Sequence, residues 1–128
     1  MQRKGALLMV VAVLFALVLP ACGVINDVAT VGQLGNDFMT ALKEGDGEGS
    51  WTMLTQDVQD EIGDPTAWQE FVDRESFSDW KFTNTQVENN VGQIDGEATF
   101  EGDTYTLLLI FDKVDGNWLI SGINFSLK

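Results

Sequence analysis

The chain has 128 residues, with 20 acidic and 7 basic side chains, no histidine and one cysteine. That length makes one domain, and the lack of histidine excludes serine–histidine, cysteine–histidine and histidine–zinc chemistry. A formal charge of −13 argues against nucleic acid as a partner, which needs clustered Lys and Arg, and one thiol makes neither an internal disulfide nor a thiolate metal cage.

Gln2, Arg3 and Lys4 give a short positive start, and Ala6 to Leu19 is an unbroken apolar run of 14 residues. A spanning helix needs roughly 18 or more, whereas the apolar part of a secretory signal is this short. Leu19-Pro20-Ala21-Cys22 resembles the lipobox of bacterial lipoproteins, with an aliphatic residue three before the cysteine and a small one directly before it. The resemblance implies cleavage before Cys22, diacylation of its thiol and a new N-terminus there. Gly23 stands where an aspartate would retain such a protein at an inner membrane. The expected organisation is a signal peptide over 1–21, a lipid-attached tether over 22–33 and a folded domain over 34–128. The expected location is extracytoplasmic, lipid-anchored at the cell membrane or outer membrane. Loss of Arg3 and Lys4, with no acid removed, changes the formal charge from −13 to −15. Anionic lipid repels such a surface, so the membrane contact is assigned to the acyl chains on Cys22.

Val31, Leu34, Phe38, Ala41 and Leu42 recur at spacings of three and four, one face of a helix ending at Lys43-Glu44-Gly45. Gly32 and Gly35 weaken its beginning, so an ordered start as late as Leu34 is expected. After the acidic loop Asp46-Gly47-Glu48-Gly49, Ser50 reads as the cap of a second helix with Trp51, Leu54, Val58 and Ile62 on one stripe, stopped by Gly63. Asp64-Pro65 starts a third, a carboxylate at the N-cap and proline at the first helical position, burying Trp68, Phe71 and Val72.

From Ser76 the period falls to two. Strands are predicted over Trp80–Val87, Ile94–Phe100, Thr104–Asp112 and Asn117–Phe125, with turns at Gly102-Asp103 and Asp115-Gly116. Helices followed by an antiparallel meander define an α+β fold: three N-terminal helices packed on a curved sheet of about four strands. The order of elements, Ala-Leu-Lys-Glu-Gly-Asp at 41–46 and Asp-Lys-Val-Asp-Gly-Asn-Trp-Leu-Ile-Ser-Gly at 112–122 resemble the nuclear transport factor 2-like superfamily, with its cystatin-like α+β cone. The resemblance covers residues 34 to 126 and points to small lipoprotein members. It implies little about activity, since that superfamily hosts isomerases, hydrolases and binding modules.

The superfamily's cone often encloses a pocket, and Tyr105, Trp51, Trp68 and Trp118 are the candidate lining residues. Ketosteroid-isomerase-like members place a carboxylate base and a tyrosine or protonated acid there. Tyr105, the single tyrosine, reads better as a core aromatic whose hydroxyl reaches the rim, and no pattern places a carboxylate opposite it. Epoxide-hydrolase-like members use Asp–Arg–Asp, but Asp73 and Arg74 are adjacent on a helix and point apart. Arg74 there complements the helix dipole. Asp46-x-Glu48-x-Ser50 opens like a calcium loop, yet Trp51 occupies the glycine position and Asp57 the glutamate position, so no metal site is assigned. The tryptophans are mostly accounted for by core packing. The run Tyr105 to Phe111 is apolar on both alternating faces, and Leu108 and Ile110 mark a candidate sheet-face interface, such as a homodimer.

The expected role is a membrane-tethered binding or interaction module, more a non-enzyme than an enzyme, with no cofactor. The alternatives are a metal-independent isomerase or hydratase working in the cone, and a structural envelope protein.

Overall fold

The computed structural model describes residues 26–75 and 77–128. The signal segment 1–21, Cys22 and its lipobox neighbours lie outside the described residues. Helix α1 occupies 26–44. It stops because Gly45 turns left-handed (φ 73°), letting the Gly45 and Asp46 N–H groups return to the carbonyls of Leu42 and Ala41 at 3.2 and 2.8 Å. α2 is Gly47–Trp51, α3 is Gln56–Ile62 and α4 is Pro65–Arg74. At the start of α4 the Asp64 carboxylate accepts the Ala67 N–H at 2.8 Å, with proline in the first turn, as the sequence predicts.

Two expectations about the helices are corrected. α1 is already helical at 26, and Val31 is fully buried, so 26–33 form packed helix rather than tether, and the start is not delayed to Leu34. Burying one apolar side chain contributes about 1.5–3 kcal/mol, which exceeds the roughly 1 kcal/mol cost of a helical glycine. The stripe from Trp51 to Ile62 is two helices rather than one. Asp46 caps α2 by accepting the Gly49 N–H, and Thr55 caps α3 by accepting the Val58 N–H, leaving Ser50 inside a helix rather than at its cap. Between them Leu54 bridges Ile120: the Thr55 N–H donates to the Ile120 carbonyl at 2.9 Å and the Ile120 N–H to the Met53 carbonyl at 2.8 Å.

The sheet holds β1 (Asp79–Glu88), β2 (Val91–Phe100), β3 (Asp103–Val114) and β4 (Asn117–Leu127), in the spatial order β1-β2-β3-β4 with every pair antiparallel. Asp115 and Gly116 take φ of 50° and 83°, the left-handed pair a tight hairpin requires. The turn expected at Gly102-Asp103 falls one residue earlier, on Glu101 and Gly102 (φ 50° and 84°), and Asp103 already pairs with Phe100. Bulges lie between Phe82 and Asn84 in β1 and opposite Ile110/Phe111 in β4, and each bends the sheet around the helices.

Alternation sends Ile94, Ala98, Leu107, Leu109, Phe111 and Ile120 inward, where they are buried against Phe38 and Leu42 of α1 and Trp68 and Val72 of α4. The helices therefore cover one face of a four-stranded antiparallel sheet, an α+β cone. α1 approaches β2 closely because Gly35 has no side chain: a methyl group there would collide with Ile94 Cδ1. Among the described residues no helix is long and apolar enough to cross a membrane.

Candidate functional site: an aromatic cavity at the edge of the cone

Phe77, wholly buried just ahead of β1, organises a ring cluster. Its centroid lies 4.5 Å from Phe125, 5.8 Å from Phe100 and 6.1 Å from Tyr105, the last edge-on. These are the separations at which aromatic quadrupoles attract. On the helical side Trp68 stacks on Phe71 at 5.0 Å and lies 6.2 Å from Phe38. Its indole N–H donates a 2.8 Å bond to the buried Ser50 hydroxyl, which itself donates to the Asp46 carbonyl at 2.8 Å.

Between these two clusters a cavity of about 550 Å³ opens beside the edge strand β4, within the size range of small-molecule sites. α3 contributes Ile62, α4 contributes Trp68 and Phe71, β3 contributes Tyr105, and β4 contributes Ile123, Asn124 and Phe125. Glu75, the residue that ends α4, completes the lining. It sits at φ −108° and ψ 57°, its N–H still donating to the Phe71 carbonyl at 2.9 Å while the chain leaves the helix. The lining side chains are thus mostly apolar and aromatic, and Glu75, Tyr105 and Asn124 are the members that carry a carboxyl, a phenol and an amide.

Of the four residues singled out for a pocket, Tyr105 and Trp68 line this cavity. Trp118 does not: it lines a second hollow of about 420 Å³ with Thr30 and Leu34 of α1 and Phe111 of β3. There its indole N–H reaches Asp27 at 3.3 Å, Lys113 stands 3.6 Å from the same carboxylate, and the Lys113 ammonium lies 5.6 Å from the indole centroid. Trp51 lines neither hollow. It is half-buried against the core at the end of α2, and its carbonyl accepts the Gln59 side-chain N–H at 2.9 Å. Both misplacements follow from spacing, which reports that a ring is buried and not which space it borders.

Asp73 accepts from Gln69 at 2.8 Å, and Arg74 is exposed. Leu108 and Ile110 are half-buried on the outward face of the sheet, between Gln93 and Asp95 of β2 and Asn124 and Gly122 of β4. Among the described residues no cluster of three or more acidic or thiol side chains is arranged to hold a metal. Glu75 was missed by the sequence reading, and no local signal could have found it. It lies 30 positions before Tyr105, and only the folding of the helices onto the sheet brings the two to one cavity.

The architecture is that of the nuclear transport factor 2-like fold. A nuclear transport factor 2-like protein of unknown function from Silicibacter pomeroyi superposes with a TM-score of 0.63 at 12% identity, over 80% of this chain and 97% of that one. Another from Shewanella oneidensis gives 0.57 at 18% identity, over 77% and 97%. Identities this low establish the fold alone. No protein-family model and no curated protein matches the sequence.

Proposed function

We propose that the chain is a lipid-anchored extracytoplasmic binding module that takes a small, largely apolar ligand in the cavity between α3–α4 and β4. The observation carrying the binding assignment is the cavity itself: about 550 Å³, walled by Phe71, Tyr105, Ile123 and Phe125, with Glu75 and Asn124 to orient a guest. The anchor rests on the leader and on Leu19-Pro20-Ala21-Cys22. Two or more acyl chains hold a protein on a bilayer durably, at about 0.8 kcal/mol per buried methylene.

A ligand-screening melt tests the binding part, since any ligand of the native state raises the midpoint by mass action. A hit that shifts the melt and is lost on filling the cavity with Ile62→Trp supports it. Mass spectrometry of the membrane fraction tests the anchor: a chain beginning at a diacylated Cys22 supports it, and an intact leader with a free thiol refutes it.

A second reading, an isomerase or hydratase, draws support from one observation: Tyr105 and Glu75 line the same cavity. A carboxylate base beside a phenol donor is the pair that moves a proton while an enolate is stabilised. Deuterium uptake by enolisable ketones, catalysed by the native chain and lost in Glu75→Gln, would favour it. The outward Leu108 and Ile110 support pairing with a second copy through the sheet. Sedimentation showing only monomer at tens of micromolar would remove that pairing.

A further inference from the structure

The geometry points to an organic cation with an apolar body as the ligand of the α3–α4/β4 cavity, a specification that rests on the binding reading above. Three observations converge. Among the described residues, Glu75 is the single ionisable side chain on the lining besides the Tyr105 phenol, and no lysine or arginine borders the space. A carboxylate at the edge of an apolar cavity favours a positive group beside it, because the weakly polar walls screen the attraction less than water does.

The aromatic walls act in the same direction. Phe71, Tyr105 and Phe125 are half-buried rings around the opening, and the face of an aromatic ring attracts a cation through its quadrupole. Neither effect is available to a carboxylate or phosphate, which would meet Glu75 as a like charge.

The field of the surrounding wall supplies the third. From Glu44 to Glu75, the segment carrying α2, α3 and α4, ten side chains are acidic and Arg74 is the single base. A cleft framed by one sign of charge concentrates ions of the other and speeds their arrival. The segment that supplies the helical wall of this cavity therefore carries a net negative charge, which disfavours the approach of anions.

The test uses one ring with three charges: benzylammonium, benzyl alcohol and benzoate, added to the intact chain in mild detergent. Binding is followed by the thermal midpoint and by NMR signals of Trp68, Tyr105 and Phe125. The expected result is that benzylammonium alone perturbs those signals, with affinity falling at least tenfold in Glu75→Gln. Replacement of an acid off the lining, Asp57→Asn, leaves that affinity within twofold, separating the site from general attraction to an acidic surface. If all three probes perturb the cavity signals alike and Glu75→Gln changes nothing, the cation assignment is overturned while the cavity stands as a binding site. If no probe perturbs those signals, the binding reading falls as well.

Discussion

Trp68 on α4 and Ser50 on α2 share a 2.8 Å hydrogen bond inside the core, the indole N–H donating to a hydroxyl that is wholly buried. The bond fixes the ring that forms the floor of the cavity. Ser50→Ala leaves the indole donor unpaired, which costs about 1–3 kcal/mol, against about 1 kcal/mol for a simple lost bond. A fall of several degrees in the melting midpoint is expected, at roughly 4–8 °C per kcal/mol for a domain of this size. In the double variant with Trp68→Phe the Ser50→Ala penalty should shrink, and a cycle of denaturant melts measures the coupling.

Two glycine substitutions should move stability in opposite directions. At Gly32 an added methyl group meets nothing within 4 Å, so Gly32→Ala lowers the backbone entropy of the unfolded chain without a clash and should stabilise by about 0.5–1 kcal/mol. At Gly96 the same group would run into the Lys81 carbonyl oxygen and stand 3.0 Å from Phe82 Cα, beside the bulge of β1. Backbone cannot retreat as a side-chain tip can, so Gly96→Ala should destabilise by about 1–3 kcal/mol. Urea midpoints of the two variants check the contrast.

A chain beginning at Leu34 should be clearly less stable than one beginning at Gly23. The shorter chain loses the buried Val31, worth about 1.5–3 kcal/mol, together with the Asp27 contacts to Trp118 and Lys113. Equal melting midpoints would show that residues 26–33 add nothing to the domain.

Glu97 on β2 accepts a hydrogen bond from the Lys128 ammonium, and that bond, followed by the charge of Lys128, holds the Glu97 carboxyl below its ordinary acidity range. A carboxylate whose folded pKa is depressed contributes stability above its unfolded pKa and loses it as pH falls through the folded value. The contribution is therefore present at neutral pH and fades under acid. Both side chains are solvent-exposed, so the effect on stability is small, and the sharper measurement is the titration itself. In Lys128→Met the NMR titration midpoint of Glu97 should move up toward that of an unpaired glutamate.

The parts of this fold that could be read in advance are those whose cause is local. Asp64-Pro65 starts a helix wherever it lies, Asp115-Gly116 turns a hairpin from its own φ preferences, and Ile94, Gly96 and Ala98 announce a dry face by alternation. The break at 52–55 was hidden because its cause is distant. Trp51, Leu54, Val58 and Ile62 keep helical spacing, and the backbone leaves the helix to bond with Ile120 of β4, 66 positions after Leu54. The cavity was half legible for the same reason. Tyr105 and Trp68 stand out by chemistry and periodicity, while Glu75 reaches the cavity only through the packing of the helices on the sheet, which no window of sequence contains.

The first turns of α1 lie against one pole of the cone. Val31 touches the space above Gly92, and Asp27 reaches Trp118 and Lys113 beside the β3–β4 hairpin. Tyr105 stands eight residues back along β3 from Lys113, about 27 Å away at the rise of an extended strand. Position 22 precedes the described helix by four residues, which even fully extended span about 14 Å. An acyl group at that position, as proposed above, would attach at the hairpin pole and so stand far from the Tyr105 end of β3, where the cavity lies.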